Sequence, residues 1–158
     1  MGVGKSTVAK CLAYILGCEK LDLDRVIENA EGRSISEIIK TEGEAHFRRI
    51  ETENLRKIIT ETNVRIIALG GGTWTVEENR ALIKKHNCTS VWLESTFEHC
   101  WRNITASKQE RPLAKNRELA ERLFYERQML YCLADWHFVM EPRYTSFETA
   151  KRIAEEIF

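Results

Sequence analysis

The chain has 158 residues, which predicts one domain that can bury a hydrophobic core without disulfides. Its 24 Lys and Arg residues balance 24 Asp and Glu residues, so no overall field would attract nucleic acid or an anionic membrane. No apolar run in the sequence reaches membrane-spanning length, and the five cysteines are widely spaced without a metal-ligand pattern. We therefore expect a cytoplasmic protein with a local anion site, and nothing in the sequence demands an oligomer.

Residues 2–7, Gly-Val-Gly-Lys-Ser-Thr, match the second half of a phosphate-binding loop. The full pattern is G-x-x-x-x-G-K-[ST], in which a glycine-rich turn and a helix N terminus direct backbone N–H groups at nucleotide phosphates. Glycines let the backbone approach the phosphates, Lys5 can reach the outer phosphates, and the Ser6 hydroxyl can bind Mg²⁺. The sequence thus predicts a nucleotide site that includes Gly2, Gly4, Lys5, Ser6 and Thr7.

Hydrophobic periodicity predicts alternating helices and short strands. The first half has a helix over 7–16, a strand at 18–23, a helix over 25–31 closed by Gly32, a helix that begins with a capping box of Ser34 and Glu37, and a helix over 44–62. The second half has strands at 64–69, 90–94 and 137–140, and helices capped by Thr75, capped within 95–98, spanning 117–134, and capped by Ser146. This alternation favours an α/β domain with a parallel sheet flanked by helices.

Two aspartates stand at the end of the first predicted strand, in the segment Leu-Asp-Leu-Asp at 21–24. Alternation along a strand would put Asp22 and Asp24 on one side and Leu23 on the other. Ligands of open α/β sheets bind beyond the carboxyl ends of the strands. After a phosphate loop and one helix, this carboxylate pair therefore indicates a ligand site.

Three consecutive glycines, 70–72, follow the strand predicted at 64–69. Such a run costs chain entropy on folding, so it is expected where the backbone passes close to another group. At the carboxyl end of a strand, that group is expected to be a substrate.

The longest polar, aperiodic stretch is 106–116, and it carries Lys108, Arg111 and Lys115. A basic loop between two helices fits a lid that closes over phosphates and supplies positive charge to the transferring group. An ordinary exposed loop is the alternative.

In their order and spacing, these features resemble the shikimate kinases. The motifs are G-V-G-K-S-T at 2–7, L-D-L-D at 21–24, G-R-S-I-S-E-I at 32–38, G-E-A-H-F-R-R-I-E at 43–51, L-G-G-G at 69–72, R-P-L at 111–113 and E-R-Q-M-L-Y at 126–131. The resemblance covers essentially the whole chain. It implies a P-loop fold of the nucleoside monophosphate kinase type, a three-layer α/β/α domain over 1–158, with a substrate-binding helical region at about 25–62 and a lid at about 106–116.

The resemblance also implies a reaction, the ATP-dependent phosphorylation of the 3-hydroxyl of shikimate in aromatic amino acid biosynthesis. Lys5 would bridge the phosphates, and Ser6 would bind Mg²⁺, which Asp22 would hold through water. Asp24 would bind the substrate hydroxyls beside the one that attacks.

The remaining implied roles concern the acid group of shikimate and the lid. Arg48 and Arg127 would clamp the shikimate carboxylate, while Gly71 and Gly72 would bring backbone N–H groups against the ring. Arg111 would be the lid arginine that reaches the γ-phosphate. Arginine suits these roles, because guanidinium forks bind carboxylates and because phosphoryl transfer needs charge neutralisation more than covalent chemistry.

The sequence departs from the family pattern in two ways that bear on the site. The first glycine of the phosphate loop and the strand before it would lie upstream of Met1, so we expect the parallel sheet of these 158 residues to have a central gap. Trp74, two residues after the glycines, is bulkier than the small residue expected and could reshape the floor of the substrate site.

Two alternatives remain open. The chain could be another small-molecule kinase of this fold, such as a gluconate kinase, although the two arginines and the triple glycine favour shikimate. It could also be an inactive relative that only binds ligands, because its phosphate loop is incomplete.

Overall fold

The strands and helices of the computed structural model are short and alternate along the chain. The model describes residues 2–107, 116–141 and 143–158. Within these ranges the helices are α1 (Lys5–Ile15), α2 (Leu23–Glu31), α3 (Ile35–Glu42), α4 (Glu44–Glu61), α5 (Glu77–Lys85), α6 (Phe97–Ala106), α7 (Arg117–Tyr131) and α8 (Ser146–Ile157), and a 3₁₀ turn covers Thr73–Thr75. The strands are β1 (Lys20–Asp22), β2 (Ile66–Ala68), β3 (Val91–Glu94) and β4 (Trp136–Val139).

The four strands form two parallel pairs. β1 pairs with β2, with Asp22 opposite Ala68, and β3 pairs with β4, with Glu94 opposite Val139. In the described part of the chain the two pairs are separate sheets, and a slot of about 500 Å³ lies between β2 and β3. The slot is lined largely by apolar side chains from both strands, α1 and α8, including Val8, Leu12, Ile66, Leu93 and Ile153. The slot therefore separates the two strand pairs in the described part of the chain.

The hydrophobic core is divided in the same way. One cluster joins α1 and α8 to both strand pairs through side chains such as Leu12, Leu93 and Ile153. A second cluster joins α2, α3, α4 and α5, and its centre is formed by Leu23, Ile27, Ile38 and Leu55, all fully buried. The first cluster supports the phosphate loop, and the second supports the helical region after β1.

Several local predictions are confirmed. Ser34 caps α3 in a capping box with Glu37, whose backbone N–H donates to the Ser34 hydroxyl at 3.2 Å. Gly32 ends α2 in a left-handed conformation with φ 66°, a geometry that glycine adopts at little cost. The predicted parallel α/β architecture is confirmed as well.

Two predicted caps are wrong. Thr75 donates its hydroxyl to the Gly72 carbonyl within the 3₁₀ turn, and Val76 occupies the N-cap of α5. Thr145 caps α8 in place of Ser146, because Glu148 stands three residues after it and completes a capping box.

The predicted helix over 117–134 also extends too far. α7 ends at Tyr131, because Leu133 and Ala134 make tighter hydrogen bonds, to the carbonyls three residues before them.

None of the described helices combines the length and hydrophobicity needed to cross a lipid bilayer.

Candidate active site

The phosphate loop leads directly into α1. Gly2 and Gly4 have φ values of 71° and 95°, which other residues rarely adopt. A Cβ on Gly2 would lie 2.5 Å from the Cys100 carbonyl oxygen, so α6 packs against the bare backbone. From the same helix, Asn103 donates to the Gly2 carbonyl at 2.8 Å. Glycine at position 2 is therefore required by conformation and by space.

The N terminus of α1 suits an anion. The Gly4 carbonyl accepts hydrogen bonds from the N–H groups of Thr7 and Val8, and Lys5 is the first helical residue. Among the described residues, no side chain caps this helix end. A helix N terminus carries a partial positive charge, so Lys5 and the helix direct positive potential to the same place.

Ser6 and Asp22, the two predicted metal ligands, are in contact. The Ser6 hydroxyl at the start of α1 donates to the Asp22 carboxylate at the end of β1 at 2.6 Å. Hydroxyl and carboxylate oxygens are the hard ligands that Mg²⁺ prefers, and protein sites usually supply only one or two of them beside phosphates and water. The two residues therefore fit the ion.

Asp24 lies in the first turn of α2, because the strand ends at Asp22. The predicted strand alternation of the two aspartates is thus wrong, since the chain turns into a helix at Leu23 and buries that side chain completely. Burial, together with the nearby carboxylates of Asp22 and Glu51, raises the pKa of Asp24 to about 6, and Lys5 opposes this shift. The site thus concentrates negative charge at a carboxylate near the phosphate-loop lysine.

The triple glycine forms the turn after β2. None of its three residues has a positive φ, so backbone conformation does not explain the run. A Cβ on Gly70 would lie 2.6 Å from an Asp24 carboxylate oxygen, and a Cβ on Gly72 would overlap the Arg48 guanidinium. The turn therefore brings bare backbone against two predicted substrate-binding side chains.

Arg48, in the first half of α4, is held by carboxylates. Its Nη1 donates to Glu51 at 2.7 Å and its Nη2 donates to Glu44 at 2.9 Å. Burial by itself would lower the pKa of Arg48, but Glu51 and Glu44 outweigh burial and raise it. The guanidinium thus remains charged and is fixed beside Gly72.

Glu51 is a site residue that the sequence reasoning missed. It is only 1% exposed, and its second oxygen accepts a hydrogen bond from the fully buried Thr73 hydroxyl at 2.7 Å. It therefore connects Arg48 on α4 to the turn after the glycines. A signal was available, because Glu51 shares a helical face with the apolar Phe47 and Leu55 at four-residue spacing.

Arg127, predicted as the second arginine of the clamp, lies on α7 near the glycine turn. Tyr131, one helical turn later, hydrogen-bonds the Arg127 side chain and donates its hydroxyl to the Gly71 carbonyl at 2.5 Å. Arg48 is close enough to influence the Tyr131 hydroxyl electrostatically. The two arginines thus face one region, whereas the predicted lid arginine, Arg111, lies outside the described residues.

Trp74 is directed at α7. Its indole N–H donates to the Leu130 carbonyl at 2.9 Å, and Arg80 donates to the Trp74 carbonyl at 2.7 Å. Its ring lies against the α2–α5 core cluster and also lines the slot between β2 and β3. The bulk of this residue thus attaches the glycine turn to the end of α7.

Comparison with known proteins gives consistent matches along the chain. A family model described as "Shikimate kinase" matches residues 1–158. The chain is 41% identical over 157 residues to a shikimate kinase of Streptococcus thermophilus, covering 97% of this chain and 93% of that protein. It is 38% identical over 160 residues to a shikimate kinase of Nostoc punctiforme, covering 99% and 86%.

The fold matches solved structures equally well. A shikimate kinase from Acinetobacter baumannii, solved in complex with shikimate, superposes with a TM-score of 0.90 at 31% identity, covering 99% of this chain and 88% of that one. A shikimate kinase from Aquifex aeolicus superposes with a TM-score of 0.81, also at 31% identity, covering 97% and 89%.

Proposed function

The chain belongs to the shikimate kinase family, and from this premise we propose that it transfers the γ-phosphoryl group of ATP to the 3-hydroxyl of shikimate. The observation that carries the proposal is the convergence of Asp24, Arg48 and the glycine turn next to the Ser6–Asp22 pair. An acidic polyol and a nucleotide phosphate would meet there. The gluconate kinase alternative has no comparable support.

On the acceptor side, Arg48 and Arg127 bind the shikimate carboxylate, because guanidinium groups form charge-assisted hydrogen bonds with carboxylates. Gly71 and Gly72 contribute backbone N–H groups to the ring. Asp24 accepts hydrogen bonds from the ring hydroxyls and orients the one that attacks. Such positioning supplies much of the acceleration in phosphoryl transfer.

On the donor side, Gly2, Gly4 and Thr7 surround the ATP phosphates together with Lys5 and the N terminus of α1. Ser6 and Asp22 would hold Mg²⁺, and the ion would offset phosphate charge when bound. The contact between Ser6 and Asp22 supports this assignment.

We assign the remaining roles to two regions. Residues of about 25–62 form the substrate-binding helical region, and about 106–116 form a lid from which Arg111 reaches the γ-phosphate.

We also propose that the enzyme works as a cytoplasmic monomer that binds no nucleic acid, in keeping with a net charge of zero. Size-exclusion chromatography with light scattering tests the monomer, which a mass near twice 18.4 kDa would contradict.

The function is tested with an assay that measures ADP release with shikimate or gluconate as the phosphoryl acceptor. We expect turnover of shikimate that requires ATP and Mg²⁺, and no turnover of gluconate. Turnover of gluconate alone would establish the other small-molecule kinase. Isothermal titration with MgATP separates an inactive relative, which would bind ligand without turnover.

A further inference from the structure

Tyr131 contacts two groups of the acceptor side, the Arg127 side chain and the backbone of Gly71. It is the last residue of α7, and its hydroxyl donates to the Gly71 carbonyl at 2.5 Å. The Arg127 side chain hydrogen-bonds the same hydroxyl oxygen. A phenol can donate one hydrogen bond while it accepts another. One hydroxyl group thus links the cation on the helix to the backbone of the glycine turn.

A second contact fixes the same helix end. Trp74, from the turn, donates its indole N–H to the carbonyl of Leu130, the residue before Tyr131. The Tyr131 ring is half-buried and lies 6.1 Å from the ring of Trp92 on β3. The end of α7 is therefore attached to the glycine turn at two adjacent residues. This attachment leaves the Tyr131 hydroxyl little freedom to move away from Gly71.

We propose that Tyr131 is a positioning residue that sets the direction of the Arg127 guanidinium relative to the Gly71 backbone. An arginine loses rotamer freedom when it binds a ligand, and a bond formed beforehand removes part of that loss from the binding step. The carboxylate of the acceptor then meets an arginine that already points at it. Only the identity of that acceptor rests on the proposed function.

The first test is Tyr131→Phe, which keeps the ring and removes the hydroxyl. The KM for shikimate should rise about 10-fold, as expected for a lost hydrogen bond to a charged group. The kcat and the KM for ATP should stay within about two-fold of the wild type. Tyr125→Phe, at an exposed tyrosine of the same helix, is the matched control and should change none of them. An unchanged KM for shikimate in Tyr131→Phe overturns the proposal.

The second test separates positioning from a general effect on the fold. In an Arg127→Ala background, Tyr131→Phe should raise the KM for shikimate by less than about two-fold more, because the group that it positions is gone. A full 10-fold increase in that background would show that Tyr131 acts independently of Arg127. A large fall in the melting temperature of Tyr131→Phe would make its role structural and would also overturn the proposal.

A third measurement does not depend on the substrate. The Nε–H resonance of Arg127, assigned with Arg127→Lys, reports the order of the guanidinium in the ligand-free protein by ¹⁵N relaxation. We expect a loss of order in Tyr131→Phe and none in Tyr125→Phe. Equal order in both variants contradicts the positioning role. If the wild type fails to phosphorylate shikimate while Tyr131→Phe frees Arg127, the proposed function fails and the positioning role stands.

Discussion

The acceptor side and the phosphate loop hold their groups in place by different means. On the acceptor side, buried side chains fix other side chains, as when Glu51 accepts hydrogen bonds from Arg48 and Thr73. In the phosphate loop the backbone itself holds the groups in place, through positive φ at Gly2 and Gly4 and through contact with α6. Single polar atoms should therefore matter more on the acceptor side, because a buried polar group that loses its partner is costly.

The surroundings of the two regions differ as well. The acceptor side is backed by the continuous core cluster of α2–α5, whereas the phosphate loop leads into α1 above the slot that divides the sheet. Val3, in the loop, and Val8, in α1, both line that slot. The comparison predicts that removing a supporting side-chain hydrogen bond has a large effect on the acceptor side and a small effect on nucleotide binding.

The largest effect is expected for Asp24→Asn. Because the amide cannot replace the carboxylate that orients the attacking hydroxyl, kcat should fall by about 10³-fold. The Kd for MgATP, measured by isothermal titration, should stay within a few-fold. Glu31→Gln, later on α2, is the control and should retain full activity. An active Asp24→Asn enzyme would remove Asp24 from the mechanism.

Arg127→Ala should act mainly on acceptor binding. Losing a charge-assisted pair with the carboxylate should raise the KM for shikimate by about 10- to 100-fold, with a smaller change in kcat. The control is Arg122→Ala, an exposed arginine on α7 whose ion pair with Glu126 should contribute little. Steady-state kinetics with both substrates varied measures this, and an unchanged KM for shikimate counts against the clamp.

Glu51→Gln tests the buried network directly. The change leaves the half-buried Arg48 with one carboxylate partner fewer, so the free energy of unfolding should fall by about 2 kcal/mol. Urea denaturation measures the loss. The exposed Glu53→Gln on the same helix should change it by less than about 0.5 kcal/mol. Equal stability of the two variants would mean that the acceptor side doesn't depend on this network.

The smallest effect is expected in the phosphate loop. Asn103→Ala removes the hydrogen bond to the Gly2 carbonyl and should raise the KM for ATP about three-fold, the range of a neutral hydrogen bond. Thr105→Ala, which removes a hydroxyl that donates to carbonyls within α6, is the control. A much larger effect in Asn103→Ala would show that side chains control the loop as they do the acceptor site.

Much of the fold could be predicted because the signals are local. Helical periodicity, Ser34 with Glu37, and Gly32 depend on residues within a few positions of one another, and each predicted feature is present. Cap choice was less certain where neighbours compete, as at Thr145 and Ser146, because the second partner of the capping box decides between them. The predicted end of α7 was wrong because the residues after Tyr131 form tighter hydrogen bonds in the folded chain.

The candidate site could also be predicted only where its signals are local. Lys5, Ser6 and the two aspartates could be identified from short motifs, since a phosphate loop needs those residue types in that order. The contacts of Glu51 with Thr73 and of Tyr131 with Gly71 could not be predicted, because these partners lie 22 and 60 residues away. Which distant atoms meet is decided by packing, and no spacing within one segment encodes it.

The sequence by itself determined the family, the phosphate-loop motif and the types of residue at the candidate site, because these follow from motifs and from the order of elements. Only the tertiary structure decided that Asp24 is helical, that Gly70 and Gly72 pack against Asp24 and Arg48, and that Glu51 holds Arg48. The physical reason is that burial and hydrogen bonding act through space. They become visible only when α2, α4, α7 and the turn after β2 are brought together.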